Sequence, residues 1–307
     1  MIATLAPPGK LAQRHRRLLV GLAVLGGLLY VGAWRIRVGQ VARDEARLRE
    51  RMAAIGASGS LRQAGRYNSV FYPPTENYQL SYPEGVSAAA LAPLVRLPRE
   101  VSLYLDLSDS GVDDDGLAHL RDLSGLNSLL LGNHNDRGVR SRPNRITGAG
   151  LAHLRGLDAL NNLQLNGLNL TDADLARLPP MPIDHTLNLA GNAIRGPGLS
   201  ALKGHPNVMN LNLFDNPLTD EGLALLPLSS IYVLDLTRTA ITPKGIELLR
   251  KQTRLAQVSI EQGQFTQAQV DAIRASGYRF TLLEIPKPKP QPTPGPPPAP
   301  TTLPIGR

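Results

Sequence analysis

The sequence predicts an α/β solenoid, with a parallel β-sheet on a concave face and one helix per repeat on a convex face, preceded by one transmembrane helix. Three observations predict it. A leucine pair of the form L-x-L recurs at a nearly constant step. A helix-period segment of the form G-L-x-x-L-x-x-L follows most of these pairs at a constant offset. An uncharged apolar run occupies residues 18–34.

The pairs begin at Leu105, Leu129, Leu163, Leu187, Leu211, Leu234 and Val258, with steps of 24, 34, 24, 24, 23 and 24 residues. Two leucines separated by one residue fall on one face of a strand, because side chains alternate. Seven residues after the first member stands another apolar side chain: Val112, Leu170, Ile194, Leu218, Ile241 and Phe265. Eleven residues after it comes Gly116-Leu117, Gly198-Leu199, Gly222-Leu223 or Gly245-Ile246, replaced by Asp174-Leu175 and Gln269-Val270 in two units. In the second unit Ile146 and Gly150-Leu151 fill these slots ten residues late, so the 34-residue step is a normal repeat with a ten-residue insertion between Leu131 and Ile146. A strand with one apolar face and a helix with one apolar stripe cannot each bury that surface alone, so the units stack.

The segments LDLSDSGVDDDGLAHLRDL, LNLAGNAIRGPGLSALKGH, LNLFDNPLTDEGLALLPL and LDLTRTAITPKGIELLRKQ resemble the leucine-rich-repeat family, over about residues 78–285. They look most like its 24-residue type, as in ribonuclease-inhibitor-like and F-box-associated proteins, and that resemblance implies a full helix per repeat. The family's turn asparagine stands at Asn192 and Asn216, while Ser110, His134, Leu168 and Thr239 occupy the slot elsewhere by count from the strand.

Charge divides the chain. Residues 1–66 carry +9, residues 67–285 carry −4, and the tail carries +3, giving +8 in all. A nucleic-acid binder needs a basic folded surface, so none is expected as a partner. The basic flank instead brackets the apolar run, where it sets topology. Residues 18–34 read as a signal anchor, with a cleavable signal peptide ending near Val31-Gly32-Ala33 and a buried helix as the other readings. Arg14, Arg16 and Arg17 abut the run, which favours an N-inside orientation with extracytoplasmic repeats. The expected organisation is a basic tail 1–17, the membrane helix 18–34, a juxtamembrane helix and linker 35–66, a cap with a degenerate repeat 67–104, about seven repeats with a closing strand 105–285, and a disordered Pro-rich tail 286–307.

With no cysteine, thiolate nucleophiles and thiolate metal sites are excluded. Asp113-Asp114-Asp115 precede a helix, where acids favour the N-terminal dipole, so capping rather than metal binding is expected. His119 and His153 hold equivalent repeat positions, which points to packing rather than catalysis. No cofactor, metal or catalytic residue is expected.

The expected function is a membrane-anchored protein-binding module with a protein, peptide or glycan partner. Its contacts are expected from the outward strand positions Tyr104, Asp106, Gln164, Asn188, Asn212 and Asp235, and from Arg137, Arg140, Arg142 and Arg145 of the insertion, placed at the rim beside Asp106 and Ser108. The alternative is a scaffold protein in which the solenoid is a spacer and the Pro-rich tail makes the contact.

Overall fold

The computed structural model describes residues 46, 49–50, 52–53, 60–63, 77–82, 85–97, 102–133, 142–180, 185–277 and 281–286. The expected membrane segment 18–34, the tail beyond residue 286, and Arg137 and Arg140 lie outside them. Among the described residues no helix is long and apolar enough to cross a membrane.

Among the described residues ten strands form one sheet in sequence order: β1 (Ser60–Gln63), β2 (Asn77–Ser81), β3 (Ser102–Asp106), β4 (Leu126–Leu130), β5 (Asn162–Gln164), β6 (Thr186–Asn188), β7 (Asn210–Asn212), β8 (Val233–Asp235), β9 (Gln257–Glu261) and β10 (Thr281–Ile285). β2 to β10 run parallel. The register aligns Leu105, Leu129, Leu163, Leu187, Leu211, Leu234 and Val258, the predicted slot in every case, with Leu282 of the closing strand beside Val258. None of these is more than 6% exposed, and one core cluster runs unbroken beneath the sheet. Each unit contributes the same slots, so each buries the face its neighbour leaves open.

The convex layer departs from the expected full helices. Among the described residues it consists of α-helical turns at Ala88–Leu91, Asp114–Ala118, Gly148–Leu151, Asp172–Leu175, Asp220–Leu223 and Pro243–Leu248. Tighter 3-10 stretches lie at Ala92–Arg96, Ala152–Leu154, Pro197–Gly204 and Leu249–Lys251, and among the described residues only the last unit carries a nine-residue helix, Gln267–Ala275. The reason is spacing. Neighbouring strands lie about 4.8 Å apart, whereas packed α-helices need about 8–10 Å. Short, narrow turns ease that mismatch. The glycine inside most of these turns has the same cause: a Cβ on Gly150 would strike the Asp114 carboxylate, and one on Gly222 the backbone of Arg195, both in the preceding unit.

Threonine starts most of these turns. Thr147, Thr171, Thr219, Thr242 and Thr266 each accept a backbone N–H as N-cap, and Asp113 does so in the first unit, as expected of that acidic run. Carboxylates then join units. Asp114 accepts from the N–H (2.8 Å) and hydroxyl (2.6 Å) of Thr147, and Asp220 holds Thr242 in the same way. Asp172 accepts the N–H groups of Arg195, Gly196 and Gly198. Burial would raise the Asp174 pKa, but hydrogen bonds from Thr171 and Gly148, with the Arg177 charge, hold it below the ordinary carboxylate value.

The two ends are closed differently. An open edge of β2 would offer unpaired backbone groups, and β1 covers it in antiparallel register. β1 lies inside the segment expected to be linker. Upstream of it Ala46, Arg49, Glu50, Met52 and Ala53 are helical, and Met52 is buried in the core cluster. At the far end Glu284 takes the inward slot that Ile260 holds in β9, and it pairs with Arg274 at 3.0 Å.

Beside β2 the Tyr82 hydroxyl is buried without a hydrogen-bond partner among the described residues. Burial pushes its pKa up from 10.0 to about 12. A raised folded-state value means that the neutral phenol's contribution is complete below pH 10 and is lost as pH climbs from 10 to about 12. Tyr82→Phe is therefore expected to be at least as stable as the parent at pH 7 and to lose less stability over this alkaline window. Urea melts at pH 7 and across the window check both parts; an unchanged alkaline loss would assign it to other groups.

Candidate partner-binding face

The strand face turned away from the core carries two rows of side chains. One runs through Asp106, Leu130, Gln164, Asn188, Asn212 and Asp235, in cross-strand register. The other runs through Tyr104, Ser128, Asn162, Thr186, Asn210 and Val233. The structure thus brings the six predicted strand residues onto one face, all half-buried. No strand from β2 to β10 contains lysine or arginine.

Several of these side chains have a structural task as well. Asp106 Oδ1 accepts the Ser108 N–H at 3.0 Å, Asn188 Oδ1 that of Ala190 at 3.0 Å, Asn212 Oδ1 that of Phe214 at 2.9 Å, and Asp235 Oδ1 that of Thr237 at 2.9 Å. Each closes the turn that leaves its strand, as short Asx side chains do. Asn188 also donates to Gln164 Oε1, and Gln164 donates to Asn162 Oδ1, both at 2.7 Å. Thr186 and Asn210 carry no such local task in the hydrogen bonding of the described residues. Burial, and then the charge of Asp106, raises the Tyr104 pKa above its ordinary value.

Past the strand ends of β7 to β9, Arg238 lies over the Phe214 ring, 5.5 Å from its centroid, and pairs with Glu261 at 3.3 Å. Arg238 has a positive φ of 56°, a left-handed position that costs a side-chain-bearing residue. At the opposite rim Met209 and Tyr232 are 41% and 51% exposed, unusual for apolar side chains, and lie on adjacent strand entries.

The insertion sits differently from its sequence assignment. Asn144, not His134, occupies the turn slot of the second repeat. Its Nδ2 donates to Leu107 O and Leu131 O, both at 2.7 Å, and its Oδ1 accepts the Val112 N–H at 2.9 Å. Asn192 and Asn216 bridge successive units in the same way. Asn133 grips the backbone of Asn144 through both its amide oxygen (2.7 Å) and nitrogen (3.2 Å), so the ten added residues are 134–143. Arg142 and Arg145 are exposed, but they pair along Ser110 and Asp113, and not beside Asp106 and Ser108. The stem of Arg142 covers Gly111 and Gly85. The reason is that backbone bonds at Asp109, Gly111 and Val112 capture the returning chain. His119 is exposed and His153 half-buried, so the shared slot is a surface position rather than a packing one.

Three features escaped the sequence reading. Asn144 was findable, because Ile146 already showed the ten-residue shift and the asparagine stands two places before that apolar slot in Asn192–Ile194 and Asn216–Leu218. The threonine caps were findable from their constant offset before each helical turn. The carboxylates that join units had no signal beyond their acidity.

The sequence profile described as Leucine Rich repeat matches residues 185–203 and 204–226, two successive units. No curated protein sequence matches the chain. Among solved structures, the plant peptide hormone receptor RGFR1 in complex with RGF2 aligns at 16% identity and a TM-score of 0.33, over 66% of this chain; this chain spans about a third (34%) of that one. The octameric complex of Latrophilin 3, Unc5D and FLRT2 (LRR) aligns at 14% identity and a TM-score of 0.25, over 61% of this chain and 85% of that chain. Residues 185–226 are thus matched as two leucine-rich repeats, and the same leucine slots recur in register along the sheet on either side of them.

Proposed function

We propose that this protein is a protein-binding module whose open sheet face receives an extended peptide or protein segment. The observation that carries the reading is the face itself: amides and hydroxyls in register on adjacent strands, without lysine or arginine, on a leucine core that holds them rigid. Such a surface hydrogen-bonds a neutral or cationic polypeptide and disfavours phosphate-rich partners. The apolar run at 18–34 supports a membrane tether of the N-inside kind, with the repeats extracytoplasmic, and the proposal includes it.

Thr186 and Asn210 are suited to the test, because both point outward and neither holds a turn. A partner is first identified by proximity labelling in the native cell. The double variant Thr186→Arg/Asn210→Arg is then expected to weaken its binding by about a hundredfold, as bulky charge in an interface centre does, with the melting curve unchanged. Removal of residues 286–307 is expected to leave binding intact. The opposite pattern would make the Pro-rich tail the contact and the solenoid a spacer.

A further inference from the structure

On the reading of the open face as a peptide-binding surface, one place differs from the rest. Asp106 is the charged residue of strands β2 to β7; the others there are apolar, hydroxyl or amide. Its Oδ1 is committed to the Ser108 N–H. No cation or donor meets its second oxygen among the described residues. Tyr104 stands two residues back on the same face of β3, because side chains alternate along a strand, and is the neighbour of Asp106 on that face. On the other flank Leu130 is the direct cross-strand partner of Asp106, an apolar side chain in an otherwise polar row.

A half-buried carboxylate between an aromatic ring and a leucine, about one strand spacing away, matches a long cationic side chain. The stem of such a side chain lies on apolar surface while its head seeks charge. The ring face adds attraction for the same cation, and a guanidinium meets the free carboxylate oxygen through a charge-assisted hydrogen bond. An acidic or phosphorylated segment would meet repulsion here and no compensating base on any strand of the parallel sheet.

We propose that Asp106, Tyr104 and Leu130 form a subsite for an arginine or lysine side chain of the bound segment. It anchors one end of that segment on β3 and β4, and the amide rows of β5 to β7 meet the neutral stretch beyond.

The test uses the full-length chain and three fluorescent nine-residue peptides of serine, asparagine and glycine. They differ only at one residue: arginine, citrulline of the same shape without charge, or glutamate. Anisotropy at low salt is expected to give about fivefold tighter binding for arginine than for citrulline, with glutamate weakest. Asp106→Asn keeps the acceptor for the Ser108 N–H, so the fold is retained, and it is expected to abolish the arginine preference. Leu130→Ser should reduce that preference, and Asp235→Asn should leave it unchanged. An arginine preference that survives Asp106→Asn, or one absent from the parent protein, would overturn the subsite. That failure is separable from failure of the binding face. If Thr186→Arg/Asn210→Arg still abolishes partner capture, only the subsite falls; if capture survives, the reading of the face falls whatever the peptides do.

Discussion

Leu189→Ala is expected to destabilise the protein by about 2–5 kcal/mol and to broaden its unfolding transition. Leu189 is fully buried in the middle of the array, with Leu187, Ile194, Leu199 and Leu202 of its own unit also buried. Truncating a leucine removes its transfer free energy and leaves a cavity that a packed core fills only in part. The position adds a second effect. The Leu189 carbonyl accepts from both Asn192 and Asn216, so the same residue lines the junction between two units. A solenoid's stability is close to a sum of unit and interface terms, and a weakened central interface lets the halves melt apart. Denaturant melts followed by circular dichroism and by amide hydrogen exchange in the units on either side of Leu189 would report different midpoints once the array uncouples. A cost below about 0.5 kcal/mol would contradict the register on which the whole fold rests.

Strict periodicity made the leucine slots legible. Each apolar position recurs at one offset, and a one-residue slip would turn it to the opposite face. Helix length was less legible, because G-L-x-x-L-x-x-L is compatible with a full helix, and the competing strand spacing is a property of the assembled stack. The open face was half legible. Alternation shows that Asp106, Gln164, Asn188, Asn212 and Asp235 share it, and they do. It does not show which of their atoms remain free. The bonds from Asp106, Asn188, Asn212 and Asp235 to N–H groups two residues on depend on the exit angle of each strand. The insertion was misplaced for a different reason. Counting forward from Leu129 lands on His134, whereas the slot belongs to the residue the neighbouring carbonyls can reach, and that is Asn144.

Asn144 therefore sets up the sharpest contrast within one loop. Asn144→Ala is expected to cost about 3–5 kcal/mol, since it strands several buried polar groups at once. The Leu131 carbonyl loses its donor, the Leu107 carbonyl keeps only the Ser110 hydroxyl, and the Val112 N–H loses its acceptor. Asn144 is only 4% exposed, so water does not easily replace it. The loss falls on the junction of the first two full repeats, where Ser110 in the preceding unit offers only a hydroxyl bonded to Leu107 O at 2.7 Å. Deletion of residues 134–143, by contrast, joins Asn133 directly to Asn144 and restores a repeat of ordinary length, LLLGNNRITGAGL, with every described partner of the Asn144 amide retained. Shortening a loop changes closure entropy only slightly, so this ten-residue deletion is expected to stay within about 1 kcal/mol of the parent, although the Arg142 backbone bonds to Asp109 and Gly111 are lost. Equilibrium urea unfolding of the two variants side by side decides the matter. A tolerated Asn144→Ala together with a ruinous deletion would return the turn slot to the inserted segment and remove Asn144 from the ladder.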